Sequence, residues 1–350
     1  MSGGKRQYAA PSATPWDGMP GDSMTPAETA VMLSHRSMYD YRHSALSAER
    51  EVAFFNGYLR EECPRCHSKL IEGNGRDRNG VRRWRRKSCG RSFTPMTGTI
   101  FQGHGLPVSD WREFLLQTFS FESINGMMRG NRRSETTLPY WVAKLFPVLD
   151  GIRDRVVLSG DVQIDEKYYP VARADEELNA DGSRKRGLSR NKPCIAIGCD
   201  AEGRSVFVPC GRGKPSKARA WEAYGSHIAE GSTLSHDMER SHSVLVERLS
   251  LVSVEHDARK ISRMPDRDNP LREVNRLCFL LETFLNSHSG FDRDDLPGWL
   301  NLFHVMMNDP EDKMEKAAKM LDRAMSIPKT LTFREFYNIK PSSEDWLVDE

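Results

Sequence analysis

Residues 156–170, Val-Val-Leu-Ser-Gly-Asp-Val-Gln-Ile-Asp-Glu-Lys-Tyr-Tyr-Pro, constrain this chain more than any other stretch. Val156, Val157, Val162 and Ile164 are β-branched, and from Asp161 to Asp165 polar and apolar residues alternate with a strand period. The strand is expected to end in Asp165-Glu166, and Pro170 stops further ladder pairing. An acidic pair at a strand end can be a solvated cap. It can also be a metal-binding carboxylate, which needs a second acid from elsewhere in the chain.

At 350 residues there is room for two or three domains and at least one sizeable core. Charged residues make up 29%, so much of the surface is wet. No apolar run approaches the ~20 residues of a membrane span, and the N-terminus lacks the apolar core of a signal peptide. Of seven cysteines, Cys63, Cys66 and Cys89 share one basic stretch, while Cys194, Cys199, Cys210 and Cys278 sit in apolar contexts. That is no secreted disulfide framework, and a reducing cytoplasm fits it better. The formal net charge of +2 decides nothing, but its distribution does: Arg82, Arg83, Arg85, Arg86, Lys87 and Arg91 cluster with no acid among them. Such a run is a solvated face or, beside a zinc site, a phosphate contact.

Residues 1–25 are rich in Gly, Pro, Ser and Met without periodicity and are expected to be disordered. Thr25-Pro-Ala-Glu opens a capped helix, and Ser47-Ala-Glu-Arg a second one running through Phe54, Phe55 and Leu59. Cys63-Pro-Arg-Cys66 is a metal knuckle by spacing, since two thiolates three positions apart can share one zinc ion. A zinc ribbon needs a second such pair; only Cys89 is present, and Arg86 stands where its partner would be. The alternative is a ribbon without metal, held by Trp84 and Phe93. His67 directly follows Cys66 and is expected to point away. Residues 110–149 read as helices around a turn at Asn131-Arg-Arg-Ser134, which fits a helix-turn-helix, although three-helix scaffolds also occur as plain structure.

Beyond the opening strand, residues 172–192 read as a long polar loop. Strands are expected at 194–199, 205–210, 232–237 and 251–255, with helices at 214–228, 241–249, 271–289, 294–307 and 313–324. Asp200 is a turn residue, because Gly203 completes a hairpin. This order makes an α/β layer in which Asp165 closes the first strand and Asp237 the fourth. Two such carboxylates repel unless a cation lies between them, and paired divalent ions about 3.5–4 Å apart cut and rejoin phosphodiesters. Oxygen ligands select Mg²⁺ or Mn²⁺. On the following long helix Asn275, Cys278 and Glu282 lie along one face, so Asn275 or Glu282 can complete the set; Glu282 can equally be an exposed helical acid.

Taken in order, these pieces resemble the DDE transposases of bacterial insertion sequences, of the kind with a transposase-like zinc ribbon and an ISXO-type catalytic domain. The resemblance runs from Ser47 to Asn308. It rests on Cys63-Pro-Arg-Cys66, on residues 89–101 (Cys-Gly-Arg-Ser-Phe-Thr-Pro-Met-Thr-Gly-Thr-Ile-Phe), and on Val162-Gln-Ile-Asp-Glu-Lys-Tyr168. It continues in Gly211-Arg-Gly-Lys-Pro-Ser216, Gly231-Ser-Thr-Leu-Ser-His-Asp237, and Val274-Asn-Arg-Leu-Cys278 through His288-Ser-Gly-Phe291. It implies a ribonuclease-H-like fold, with the family's two aspartates on Asp165 and Asp237 and its helix asparagine on Asn275. Two positions depart from the pattern: Arg86 replaces a fourth cysteine, and Glu282 stands where a basic residue is usual. The second change either supplies a carboxylate or removes a phosphate contact.

The expected organisation is a tail (1–25), a helical lead-in with a zinc-ribbon-like β module (26–101), and a helix-turn-helix (102–150). A ribonuclease-H-like catalytic domain, a mixed sheet with flanking helices, fills 151–310, and a helix and tail end the chain (311–350). The implied activity is Mg²⁺- or Mn²⁺-dependent cleavage and strand transfer on double-stranded DNA by a homo-oligomer, in a cytoplasmic, nucleoid-associated setting. Asp165, Asp237 and Glu282 are candidate magnesium ligands, and Cys63, Cys66 and Cys89 candidate zinc ligands. Arg82, Arg83, Arg85, Arg86, Lys87, Lys214 and Lys217 are candidate phosphate contacts. The alternatives are a non-catalytic DNA-binding protein of the same architecture, or a nuclease without joining activity.

Overall fold

The computed structural model of the chain describes residues 24–338, apart from 43, 88–89, 104–106, 132, 135, 172–175, 186, 188 and 289. The expected disordered tail, Cys89, Arg132 and part of the 172–192 loop therefore lie largely or wholly outside the described residues. In chain order come α1 (Pro26–Arg42), α2 (Ala48–Asn56), β1 (Ile71–Arg76), β2 (Arg82–Arg86), β3 (Ser92–Phe93), α3 (Val108–Thr118), α4 (Ile124–Gly130) and α5 (Thr137–Leu149). They are followed by β4 (Asp161–Tyr168), β5 (Pro193–Asp200), β6 (Ser205–Arg212), α6 (Lys217–Tyr224), β7 (Thr233–Asp237), α7 (Ser243–Arg248) and β8 (Val252–His256). The last are α8 (Ala258–Ile261), α9 (Arg272–Ser287), α10 (Leu296–Met307), α11 (Lys313–Ser326) and α12 (Phe333–Asn338).

Two units divide the chain: Met1–Val148 with Lys313–Phe333, and Leu149–Asp312 with Arg334–Glu350. In the first, helix starts follow side-chain caps. The Glu28 N–H donates to Thr25 Oγ1 while the Thr25 N–H donates to the Glu28 carboxylate, a reciprocal capping box. Ser47 Oγ accepts from the Arg50 N–H at the start of α2, which stops at Asn56 rather than reaching Leu59. β1, β2 and β3 form an antiparallel meander with Trp84 stacked on Phe93. The three helices α3–α5 bury an aromatic cluster in which Trp111 and Trp141 stack with centroids 4.4 Å apart.

The second unit is a five-stranded mixed sheet in the order β6-β5-β4-β7-β8. β5 runs antiparallel to β4 and β6, and β7 runs parallel to β4 and β8. Helices cover both faces, an arrangement compatible with a ribonuclease-H-like fold. All eight residues of β5 are buried, which is why that strand reads as an unbroken apolar run. One face carries Val162, Ile164, Cys194, Ala196, Val206 and Leu234 against Ala220 and Tyr224 of α6 and Leu245 of α7. Against the other pack Val274, Leu277, Leu281 and Phe284 of α9, with Phe303 of α10 in ring contact with Phe207. Asp200 is the turn residue expected: its Oδ1 accepts from the Glu202 and Arg204 N–H groups, and Gly203 takes a positive φ of 82°.

β4 does not end at Asp165-Glu166. Lys167 and Tyr168 still pair with Ile195 and Cys194, because β5 extends alongside them. At its start, Gly160 adopts φ 74°, and Val156 and Val157 lie outside the strand. β4 is thus the central strand, with covered faces on both sides and its acids inside rather than at a frayed tip.

The fully buried hydroxyl of Tyr224 ties β4 to β5. It accepts from the Ile197 N–H at 3.1 Å and donates to the Asp165 carbonyl at 2.9 Å, with Glu166 Oε1 at 3.2 Å. Tyr224→Phe removes that bridge and leaves buried polar groups without it, which is expected to cost about 1–3 kcal/mol. The check is urea unfolding: the midpoint should fall with the slope unchanged, and an unaltered midpoint would refute the role given to the hydroxyl.

Candidate functional site

Strand parity builds the site. Val162 and Ile164 point to α6 and α7, so Gln163, Asp165 and Lys167 point to α9. Each meets a successive turn of that helix. Gln163 Oε1 accepts from the Val274 N–H at 3.2 Å, Cys278 Sγ lies 3.8 Å from Asp165 Oδ2, and Lys167 Nζ binds Glu282 Oε2 at 2.6 Å. β7 pairs in step with β4, Gln163 opposite Ser235. Asp237 ends β7 two residues beyond that pair, and its carboxylate turns to the α6–α7 side, where its Oδ1 lies 3.8 Å from His242 Nδ1.

The charges record this crowding. Burial first, then the Glu166 and Asp237 charges, push the Asp165 carboxyl up to about 6, although the Glu166 N–H donates to its Oδ1. A carboxylate hemmed in by other anions is the setting that a divalent cation relieves. A cleft of about 520 Å³ opens over Asp165 and is lined also by Lys167, Lys192, Asn275, Cys278, Phe279 and Glu282. Asp237 is not among its walls; its side chain is 34% exposed at the end of β7. Asn275 therefore joins Asp165 in one cleft. Glu282 lines it too, but is exposed and paired to Lys167. Between them the residue facing Asp165 is the thiol of Cys278, which burial and the Asp165 charge hold well above its ordinary pKa.

Beneath the strand the polar groups continue. Glu166 turns to the α6–α7 face, where its Oε1 takes His242 Nε2 at 2.8 Å. His242 Nδ1 lies 3.2 Å from His236 Nδ1 and 3.8 Å from Asp237 Oδ1. Burial works to lower the His242 imidazole, but the Glu166 hydrogen bond and the charges of Glu166, Asp237 and Glu239 raise it overall. Burial and His242 lower His236. Sequence patterns single out neither Lys167, Lys192, His236 and His242 nor a role for Glu166 apart from Asp165. The one available signal is strand parity, which sends Glu166 away from Asp165; the return of His242 depends on the 3₁₀ turn Arg240–His242.

Lys214 is paired with Glu239 at 2.7 Å, and Lys217 is exposed at the start of α6. In the first unit, Arg82, Arg85 and Lys87 are exposed, while Arg83 and Arg86 are half-buried. Cys63 and Cys66 bracket a tight turn in which Cys63 O accepts from the Cys66 and His67 N–H groups. Burial raises the Cys63 thiol, but backbone hydrogen bonds from Arg65 and Cys66, the Cys66 side chain and the nearby Arg86 charge bring it below the ordinary value. His67 Nδ1 lies 2.8 Å from Glu62 Oε1.

No family model matches the sequence. The chain is similar to an uncharacterised protein in the transposable element ISH50 of Halobacterium salinarum. The two are 26% identical over 259 residues, which cover 69% of this chain and 84% of that protein. Among the described residues no helix is long and apolar enough to cross a membrane.

The raised Asp165 pKa has a defined sign. The folded state holds this proton more tightly than the unfolded chain, whose ordinary value is 3.8. Stability is therefore lost as pH rises from about 4 to about 6, by roughly 2–3 kcal/mol. Asp165→Asn is expected to raise the melting temperature of metal-free protein at pH 8, with the gain vanishing below about pH 4. Equal melting of the two proteins at pH 8 would show that the carboxylate is not under this strain.

Proposed function

We propose that this chain is a divalent-metal-dependent DNA transposase, cutting phosphodiesters at element ends and joining the resulting 3′-hydroxyls to target DNA. The observation that carries the reading is Asp165 on the central strand with Asp237 at the end of the parallel strand beside it, near enough that burial first, then the Glu166 and Asp237 charges, raise the Asp165 carboxyl. The likeness to a protein in a transposable element supports the setting.

The donors fit a hard cation: the carboxylates of Asp165 and Asp237 would hold Mg²⁺ or Mn²⁺, with the amide oxygen of Asn275 as a further ligand. When bound, such ions supply an activated oxygen nucleophile and neutralise the leaving oxygen. Lys167 and Lys192 on the cleft wall bind phosphate oxygens. Phe279, 65% exposed on the same wall, offers a ring on which a base can stack. Glu282 restrains Lys167 and so tunes this contact. Zinc on Cys63 and Cys66, with Cys89, belongs to the same proposal, as do phosphate contacts by Arg82, Arg83, Arg85, Arg86, Lys87, Lys214 and Lys217.

One observation favours a second reading. The α9 residue that faces Asp165 is a thiol, and Glu282, the α9 acid on the cleft wall, is engaged by Lys167. A copy that binds DNA without cutting it accounts for both.

Cleavage and strand transfer on terminal-repeat DNA, with Mg²⁺ or Mn²⁺ added back to chelated protein, separates the two. Asp165→Asn and Asp237→Asn are each expected to lose about 10³-fold or more in rate, since the lost charge stabilisation amounts to several kcal/mol. Full activity in either variant overturns the assignment; DNA binding with no metal-dependent product selects the second reading. Log affinity for DNA should fall linearly with log salt, and removing the exposed Arg82 and Arg85 should flatten that slope by about 0.9 for each phosphate no longer neutralised.

A further inference from the structure

Two imidazoles and a carboxylate converge on the α6–α7 side of the sheet, outside the cleft of Asp165. His236 Nδ1, His242 Nδ1 and an oxygen of Asp237 all lie within 4.8 Å of one another. Both rings are buried, His242 completely. Each ring's other nitrogen is tied off behind it: His242 Nε2 to Glu166 Oε1 at 2.8 Å, and His236 Nε2 to Ser253 Oγ at 3.1 Å.

That arrangement orients lone pairs. An ionised Glu166 only accepts, so His242 carries its proton on Nε2 and aims the Nδ1 lone pair at His236. Two ring nitrogens at 3.2 Å then need something positive between them, either a proton on His236 Nδ1 or a metal ion. The separation suits a metal: with metal–nitrogen bonds of about 2.0–2.1 Å, two corners of a tetrahedron lie roughly 3.3 Å apart. A carboxylate behind a ligating imidazole is the usual outer partner of such sites. Nitrogen donors also change which ion is preferred, since imidazole suits zinc, cobalt and nickel where carboxylates alone suit magnesium.

We propose that His236, Asp237 and His242 form a second metal site, for a borderline divalent ion of the zinc class, with Glu166 and Ser253 orienting the two rings. Asp237, half-exposed at the end of β7, gives the ion its way in and leaves a fourth position open towards solvent. The site goes beyond the transposase reading and stands whether or not the chain cuts DNA.

The experiment is a titration of chelated full-length protein with Co²⁺, followed by its visible ligand-field absorption. Wild-type protein minus His236→Gln, and wild-type minus His242→Gln, should each give the spectrum of one equivalent of cobalt with nitrogen and oxygen donors. Thiolate-bound cobalt at the cysteines adds near-ultraviolet charge transfer and cancels in the difference. Because the buried histidine variants can misfold, Asp237→Asn and Glu166→Gln are titrated beside them, and each is expected to weaken cobalt binding about 10–100-fold. Asp165→Asn should keep the difference spectrum while losing any DNA cleavage, which separates failure of this site from failure of the function proposed above. Absence of the spectrum in wild-type protein, or cobalt affinity unchanged in Asp237→Asn and Glu166→Gln, overturns the proposal and leaves a proton shared between the rings.

Discussion

The second unit depends on a match between two rulers. Alternate residues of a strand recur about every 6.6 Å, and every fourth residue of a helix about every 6.0 Å. α9 lies along β4 closely enough that Gln163, Asp165 and Lys167 meet Val274, Cys278 and Glu282 in turn. The middle pair holds a carboxylate below the surface, and the flanking pairs fix the helix that walls it in. The cleft, the position of Lys167 on its wall and the placement of Asn275 all follow from that alignment.

The sheet is equally committed on its other face. The Tyr224 hydroxyl, Glu166, His242 and His236 form a chain of buried polar groups running from the Asp165 carbonyl to Ser253. Buried groups of this kind are expensive when left unmatched and rigidifying when matched. Here each link is satisfied by a residue from a different element: α6, β4, the 3₁₀ turn and β7. The polar chain fixes the relation of β4 to β7 independently of the apolar core, and with it the relation of Asp165 to Asp237.

Much of this was legible in the sequence because it is local. Alternation marked β4, an unbroken apolar run marked β5, Gly203 marked the hairpin, and Thr25 and Ser47 marked helix starts. Errors arose where a partner decides. β4 outlasts its acidic pair because β5 continues beside it, and no property of Asp165 or Glu166 announces that. α6 is shorter than the 214–228 expected, since Ser216 caps its start and Gly225 closes its end. The clustering of His236 with His242 was invisible for a different reason: six residues apart they miss the helix period, and on a strand they would share a face but lie about 20 Å apart, so only a 3₁₀ turn returns the second to the first. The pairing of Glu282 with Lys167 needed the alignment of β4 with α9 before it could be seen.

Asp165 and Glu166 are neighbours in the chain, yet they serve opposite sides of one sheet, Asp165 facing α9 and Glu166 facing His242. Gaining or losing a single residue between Gly160 and Asp165 would exchange the two, and would turn Val162 and Ile164 out of the core at the same stroke. In this segment natural drift can therefore proceed by replacing one side chain with another but not by altering the spacing. The length of the central strand, more than the identity of most residues in it, is what descent must preserve.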